Sequence, residues 1–463
     1  MARVGNGETK KLAEYAATVQ FDQLPGNVVE RAKMVFLDTL GVIIGASKFK
    51  TGQIITSFVH SLGGVPEATV IGSDVRTSAV NAALANGTMA HDLELDDIHL
   101  ASCTHAAAVL VPALLAVAEK AGCSGKDLIN ALVLAYDIEC RISLALDSSL
   151  QYARAFHPTS VCGTFGAAAG AAKILGLDDV RHAYCLGLAG SQACGLNAWE
   201  NEPDHYMKSF QTGVPARNGV TAALLSAIGF KAAPNVLDGK FNIFDAFSGS
   251  YSFSALTDQL GESYEIMRTA IKRYACCRYI HASLDAMFEV LKEERLTANQ
   301  IKEMIVHISE TGAPIVDRNE LYTHNCQYTL AAAAIYGEVS RKQYSMERRG
   351  DPEILSLADR ITVIGDKVLE EVYPELWGSI VEIFTVDGRH LTKRVDYAKG
   401  SPENPLNDEE ISQKFLGLAE DVLGKEKGLA IYEKALNLEA VDNIQEICPL
   451  LKKEVYAWRD LKS

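Results

Sequence analysis

Ser379-Ile-Val-Glu-Ile-Phe-Thr385-Val-Asp387-Gly388-Arg-His390-Leu-Thr-Lys-Arg-Val395 decides the fold class. Its first seven residues are rich in β-branched and aromatic side chains, Asp387-Gly388 is a hairpin turn signal, and a second strand-like run follows over 390–396. Two further short segments of this kind lie upstream, Met304-Ile-Val-His-Ile308 and Ile361-Thr-Val-Ile364. Helical spacing at 281–293 and 325–337 falls between them, so the region is α+β and not all-β. These patterns predict a smaller second domain over 266–400.

Outward from that region the texture changes. From Lys10 to about Leu256 apolar residues recur at three- and four-residue spacing, as in the stripe Val29, Ala32, Val35, Phe36, Leu40 and Ile43. Further helices are expected at 77–91, 106–121, 126–145, 162–175, 181–197 and 216–228. Beyond the linker-like Ser401-Pro-Glu-Asn-Pro, helical patterns return from Asn407 to Leu461, with Asp408-Glu409-Glu410 favourably placed at a helix start. A chain of 463 residues exceeds what a single core normally serves. The expectation is a mainly α protein with an α+β second domain: helical over 1–265 and 401–463, α+β over 266–400.

Composition narrows the function. Hydrophobic residues make up 48% and charged residues 22%, as in an ordinary globular chain. A formal charge of −15, with no basic run to offset it, argues against nucleic acid and anionic membrane surfaces as partners. The apolar stretch Ala106 to Ala118 falls short of the roughly 20 residues of a membrane span. The charged N-terminal segment lacks the pattern of a secretory signal, and the ten cysteines include no CxxC pair, so a reducing, cytoplasmic setting is expected. An acidic protein that takes an acidic substrate must gather positive charge locally.

The densest polar segment runs from His91 through Asp92, Glu94, Asp96, Asp97 and His99 to His105, with four carboxylates and three histidines in 15 residues. His105 leads directly into the apolar Ala106 to Ala118, which carries its imidazole to the edge of a core. A satisfied structural histidine is the competing reading. His91, Glu94 and His99 also offer metal-ligand types, though without a signature such as HExxH. His157 precedes Pro158 and a glycine-punctuated helix, a place where helix-start N–H groups favour an anion. Lys208 and Arg217 flank Gly213-Val-Pro215 and can clamp carboxylates. Ile271-Lys272-Arg273-Tyr274-Ala-Cys-Cys-Arg-Tyr-Ile-His281 is the most basic local patch and falls at the expected domain junction, where ligand clefts tend to form. For both basic segments the rival is ordinary surface ion pairing.

Taken in order, Ala32-Lys-Met-Val-Phe-Leu-Asp-Thr-Leu-Gly41, Asn86-Gly87, His91, Asp96-Asp97, Thr104-His105, Phe156-His157-Pro158, Lys208, Ala216-Arg217-Asn218-Gly219 and Ile271-Lys272-Arg273 resemble the MmgE/PrpD family over nearly the whole chain. The activities of that family include 2-methylcitrate dehydration, cis-aconitate decarboxylation and iminodisuccinate epimerisation. The resemblance implies a helical domain built from both chain ends, an inserted α+β lid, a homodimer, and an active site between the domains without a cofactor or metal. It carries catalytic and binding roles in the decarboxylase branch onto Glu94, His105, His157, Lys208, Lys272 and Tyr328. The family commonly has Asp at the position of Glu94 and His-Pro-Ser where this chain has His105-Ala106-Ala107. The aromatic-Asp-Phe-Asn-Asp and Gly-His-Pro-Ser-Asp-Asn patterns of the dehydratase branch are missing, which disfavours 2-methylcitrate.

The expected reaction is proton removal or delivery beside a carboxylate of a small di- or tricarboxylate. His105 and His157 would move the proton, Glu94 would hold or tune an imidazole, and Lys208, Lys272 and Arg217 would stabilise the developing charge. Asp97, Arg273 and Tyr328 complete the expected binding set. Epimerisation is the alternative, followed by metal-assisted hydrolysis at the Asp96/Asp97/His99/His105 cluster and by a non-catalytic polycarboxylate-binding protein.

Overall fold

A computed structural model describes residues 7–202 and 204–453. It is mainly helical, with a smaller α+β part in the C-terminal half. The expected helical pattern over 454–461 lies outside the described residues.

The core of the helical part is made by Ala79–Asp92, Ala106–Ala121, Gly125–Leu146, Pro158–Ile174 and Tyr206–Ala227, which pack on one another. Small residues make this possible. Pro158 to Ala172 is buried along its whole length, and a Cβ at Gly163, Gly166 or Gly170 would stand 2.7–3.0 Å from Val109, Ala135, Glu139 or Leu114. The glycine punctuation therefore serves close helix packing. Two helices depart from expectation. Asp179–Gly190 stops well before residue 197, and Gly195 there adopts φ +146°. Tyr206–Ala227 starts ten residues before the expected 216 and runs through Pro215. Its burial against Ala79–Asp92 and Pro158–Ile174 outweighs the single hydrogen bond that Pro215 cannot donate.

The α+β part holds a four-stranded mixed sheet in the order Ile361–Asp366, Ile301–Ser309, Ser379–Thr385, His390–Val395. The first pair is parallel, with Met304 opposite Ile361, and the other two are antiparallel. Ser379, Val381, Ile383 and Thr385 point inward in strict alternation, and Gly388 supplies the positive φ of the hairpin turn. Helices His281–Glu293 and Cys326–Tyr336 pack against the sheet.

The last helices return to the first ones. Asp408–Leu423 begins with a capping box between Asn407 and Glu410 and lies on Gly26–Ala46, where a Cβ at Gly41 would stand 2.9 Å from the Phe415 ring. A two-residue ribbon also links the two parts: Ile98 pairs with Ala270 and His99 with Thr269. That ribbon sets Lys272 beside the acidic loop that follows Asp92. No helix among the described residues is long and apolar enough to cross a membrane.

Candidate active site

The loop after helix Ala79–Asp92 turns through Glu94, a non-glycine residue at φ +53°. This left-handed conformation is uncommon for such a side chain and persists where the surroundings enforce it. Here they do so with charge. The fully buried Glu94 carboxylate bridges two ammonium groups, Lys208 on one oxygen and Lys272 at 2.7 Å on the other. Lys208 reaches it because its helix lies close against Ala79–Asp92, with a Cβ at Gly87 falling 2.8 Å from Gly213 Cα. Burial opposes ionisation of Glu94, but the two lysines win and hold its pKa well below the carboxylate range. Burial likewise works against the Lys272 ammonium, while Glu94 and Asp96 overcome it and hold that pKa above the ordinary lysine value.

Asp96 orders the imidazoles. One of its oxygens accepts from His91 Nδ1 at 2.7 Å and lies 2.9 Å from His105 Nδ1. His105 Nδ1 also lies 2.9 Å from the Asp97 carbonyl oxygen. Both neighbours are acceptors, so the proton of the neutral ring sits on Nδ1 and Nε2 carries the lone pair. His157 obeys the same logic. Gln211 donates its amide N–H to the Leu196 carbonyl at 2.7 Å, so the Gln211 oxygen faces His157 Nδ1 at 2.9 Å and accepts from it. His157 Nε2 is buried with no partner among the described residues. Burial and the Lys208 charge hold the pKa of His157 and His324 well below the usual value, and burial lowers that of His91 to about 4.

A cavity of about 290 Å³ opens onto this cluster. Glu94, His105, His157, Lys208 and Lys272 all line it, so the structure brings together the five residues expected to be catalytic. It also reveals lining residues that sequence patterns did not single out, among them Trp199, His324, Tyr279, Tyr373 and Trp377. Lys208 Nζ lies 4.8 Å from the Trp199 ring centre and 3.4 Å from His324 Nε2. His324 is adjacent to the Asn325 that caps the next helix, but no spacing marked it, and the aromatic residues are scattered over nearly 180 positions.

Four expected binding residues lie elsewhere. Asp97 sits behind the cavity wall, accepting from Tyr136 at 2.5 Å, Thr269 at 2.7 Å and the Ala107 amide at 2.9 Å; burial raises its pKa to about 6 despite these bonds. It places His105 through its carbonyl. Arg217 follows Lys208 by more than two helical turns and donates to its neighbour Asn218 at 3.1 Å. Arg273 does not line the cavity; it lies 3.6 Å from Glu410, in the bend that follows strand Thr269–Ala270. Tyr328 donates to the Gln343 carbonyl at 2.6 Å and packs inside the α+β part.

Two residue sets, His91/Asp96/His105 and His91/Glu94/His205, bring ligand-type atoms within 4.8 Å of one another. Their donor chemistry fits a metal poorly. Each Glu94 oxygen already faces an ammonium, and the Nδ1 atoms of His91 and His105 point protons at the same Asp96 oxygen.

Fold and site together define the class: a mainly α protein with an α+β part, whose cavity sets neutral imidazoles beside a buried lysine–carboxylate cluster. Residues 10–256 match the MmgE/PrpD N-terminal domain and residues 274–439 the C-terminal domain, and the chain belongs to the MmgE/PrpD family. The second match runs past residue 400 into the final helices. Similar proteins include a cis-aconitate decarboxylase-like protein of Aspergillus oryzae, 28% identical over 96% of this chain and 98% of its own. The cis-aconitate decarboxylase of Homo sapiens is 26% identical over 96% and 95%. A mitochondrial 2-methylcitrate dehydratase of Yarrowia lipolytica is 25% identical over 84% and 79%. The chain is an enzyme of the lyase class to which these decarboxylases and dehydratases belong.

Proposed function

We propose that this enzyme moves a proton at a carbon next to a carboxylate, in a decarboxylation or a dehydration, with His105 Nε2 taking that proton from carbon in a dehydration and, once protonated, delivering it to the carbon that carbon dioxide leaves in a decarboxylation. The observation that carries the proposal is the pair of acceptors at His105 Nδ1, each at 2.9 Å, which leaves the basic nitrogen of a cavity-lining ring free to act. Protonation of Nε2 creates an imidazolium that Asp96 stabilises directly. Lys208 and Lys272 share their positive charge between Glu94 and the substrate carboxylate, so the enediolate-like charge that develops there meets fixed ammonium groups in a cavity whose lining is largely apolar. His157 Nε2, buried and unpartnered, is the second group able to hold or return a proton. No step in this scheme calls on a cofactor.

Decarboxylation ranks first, because the relatives that span 96% of the chain are named for it. Incubation with a panel of carboxylic acids in heavy water tests the proposal, since deuterium in the recovered acid reports carbon–hydrogen cleavage and deuterium in a product that has lost carbon dioxide reports proton delivery to carbon. His105→Ala is expected to lower exchange and turnover by about a thousandfold with the fold intact by circular dichroism. Near wild-type exchange in that variant would overturn the assignment.

A further inference from the structure

Glu94 Oε1, the oxygen that meets Lys208, has a second neighbour outside the cavity wall. His205 precedes helix Tyr206–Ala227 and stands one turn ahead of Lys208, so the two side chains reach the same carboxylate from one helix face. The His205 ring is fully buried and does not line the cavity. Its Nε2 lies 3.1 Å from the His91 carbonyl oxygen and 3.3 Å from Glu94 Oε1. Two acceptors at one ring nitrogen place the proton there, and burial keeps the ring neutral. His91 cannot play this part, because its Nδ1 gives its proton to Asp96 and its Nε2 stands 4.0 Å from Glu94 Oε1.

The ring is not spent on holding the helix. The first amides of Tyr206–Ala227 have another partner, the Glu202 carboxylate, which accepts from Met207 N at 2.7 Å and from Lys208 N at 2.9 Å. The His205 side chain caps nothing, and its Nδ1 is buried with no partner among the described residues. Its backbone is left-handed at φ +63°, as that of Glu94 is at φ +53°, so two uncommon conformations face each other across one contact. The His91 carbonyl that accepts from His205 also accepts from the amides of Leu93 and Glu94. It therefore keeps donors when the His205 N–H turns toward Glu94. Glu94 Oε1 needs such a donor at the moment Lys208 turns to a substrate, since a buried carboxylate oxygen left without one is strongly disfavoured.

We propose that His205 is a positioning residue, whose Nε2–H keeps Glu94 Oε1 in place while the Lys208 ammonium turns to the substrate carboxylate. This rests on the reading of Lys208 and Lys272 as the groups that receive that carboxylate. The test compares His205→Asn with His205→Gln in the intact protein. A glutamine amide can occupy the place of Nε2, whereas the asparagine amide, one methylene shorter, stops near the place of Nδ1. Calorimetry with tricarballylate is expected to show binding about tenfold weaker in His205→Asn and within about twofold of wild type in His205→Gln. With the acid that exchanges best in heavy water, His205→Asn should raise KM about tenfold and leave kcat within about threefold, because the donor serves ground state and transition state alike. No binding of tricarballylate by the wild type, equal losses in the two variants, no loss in His205→Asn, or a fall in kcat with KM unchanged would each overturn the proposal. If His205→Asn does not fold, the His205 Nε2–H signal of protein labelled with 15N-histidine decides, identified by its absence from His205→Gln. It is expected to move downfield on saturation with tricarballylate, as the hydrogen bond to the carboxylate strengthens, and an unmoved signal overturns the proposal. Deuterium exchange separates the two readings: His205-dependent binding with no exchange in any acid removes the reaction and leaves this role standing.

Discussion

Glu94 is the residue on which the site turns, because one buried carboxylate holds two ammonium groups that would otherwise repel each other. Breaking a buried ion pair from one side leaves the other charge uncompensated and costs about 3–5 kcal/mol. Lys272→Met and Glu94→Gln are each expected to lower unfolding free energy by on the order of 3 kcal/mol in denaturant titrations. The double variant should lose clearly less than the sum, since it removes both partners of one pair. Strict additivity would show that the charges do not act as a unit. At this scale a polar residue abutting an apolar run marked two positions that line the cavity: His105 before Ala106, and His157 before its glycine-rich helix. Arg217, Arg273 and Tyr328 have a residue type that suits carboxylate binding, but their direction depends on helix phase and local pairing, and they lie away from the cavity.

At the scale of elements, what brings Lys208 to Glu94 is the close approach of Ala79–Asp92 and Tyr206–Ala227. A Cβ on Gly213 would lie 2.3 Å from Thr88 Oγ1 and 2.4 Å from the Leu84 carbonyl oxygen, which is backbone and cannot step aside. Gly213→Ala is therefore expected to destabilise the protein by about 1–3 kcal/mol, and to lower turnover by pushing Lys208 off Glu94. Thermal melts and kinetics on the same sample check both effects, and unchanged values in both would show that the helices have slack. Strong periodicity located several elements to the residue, including Ala106–Ala121, His281–Glu293 and Ser379–Thr385. It lost the first turns of Tyr206–Ala227 because Gly213 and Pro215 are turn residues locally. Only the tertiary contact that demands a glycine explains why they sit inside a helix.

Across the whole molecule, three distant segments meet at one side chain. Lys414, on the C-terminal helix Asp408–Leu423, donates to the carbonyls of Leu95 and Lys272, each at 2.7 Å, and pairs with Asp38 Oδ1 at 2.7 Å. It therefore fastens the acidic loop, the Lys272 segment and helix Gly26–Ala46 together without lining the cavity. Helical texture at both chain ends suggested that they share one body, but nothing in the sequence marked a lysine 142 residues from Lys272 as its anchor. Burial already raises the pKa of Asp38, against the opposing pull of Lys414. Lys414→Met removes that pull, so the folded-state pKa of Asp38 climbs further above its unfolded value. A carboxyl shifted in this direction adds stability below the unfolded pKa and loses it as pH rises through the folded one. The penalty of Lys414→Met is accordingly expected to be larger at pH 8 than at pH 5, reaching about 3 kcal/mol, and turnover should fall with it as Lys272 loses its backbone anchor. Lys414→Arg, which keeps charge and donors, should recover most of both. Melting curves at the two pH values decide the matter: a penalty that is independent of pH, or that grows toward acid, would mean that Asp38 is not the group Lys414 holds in its ionised form.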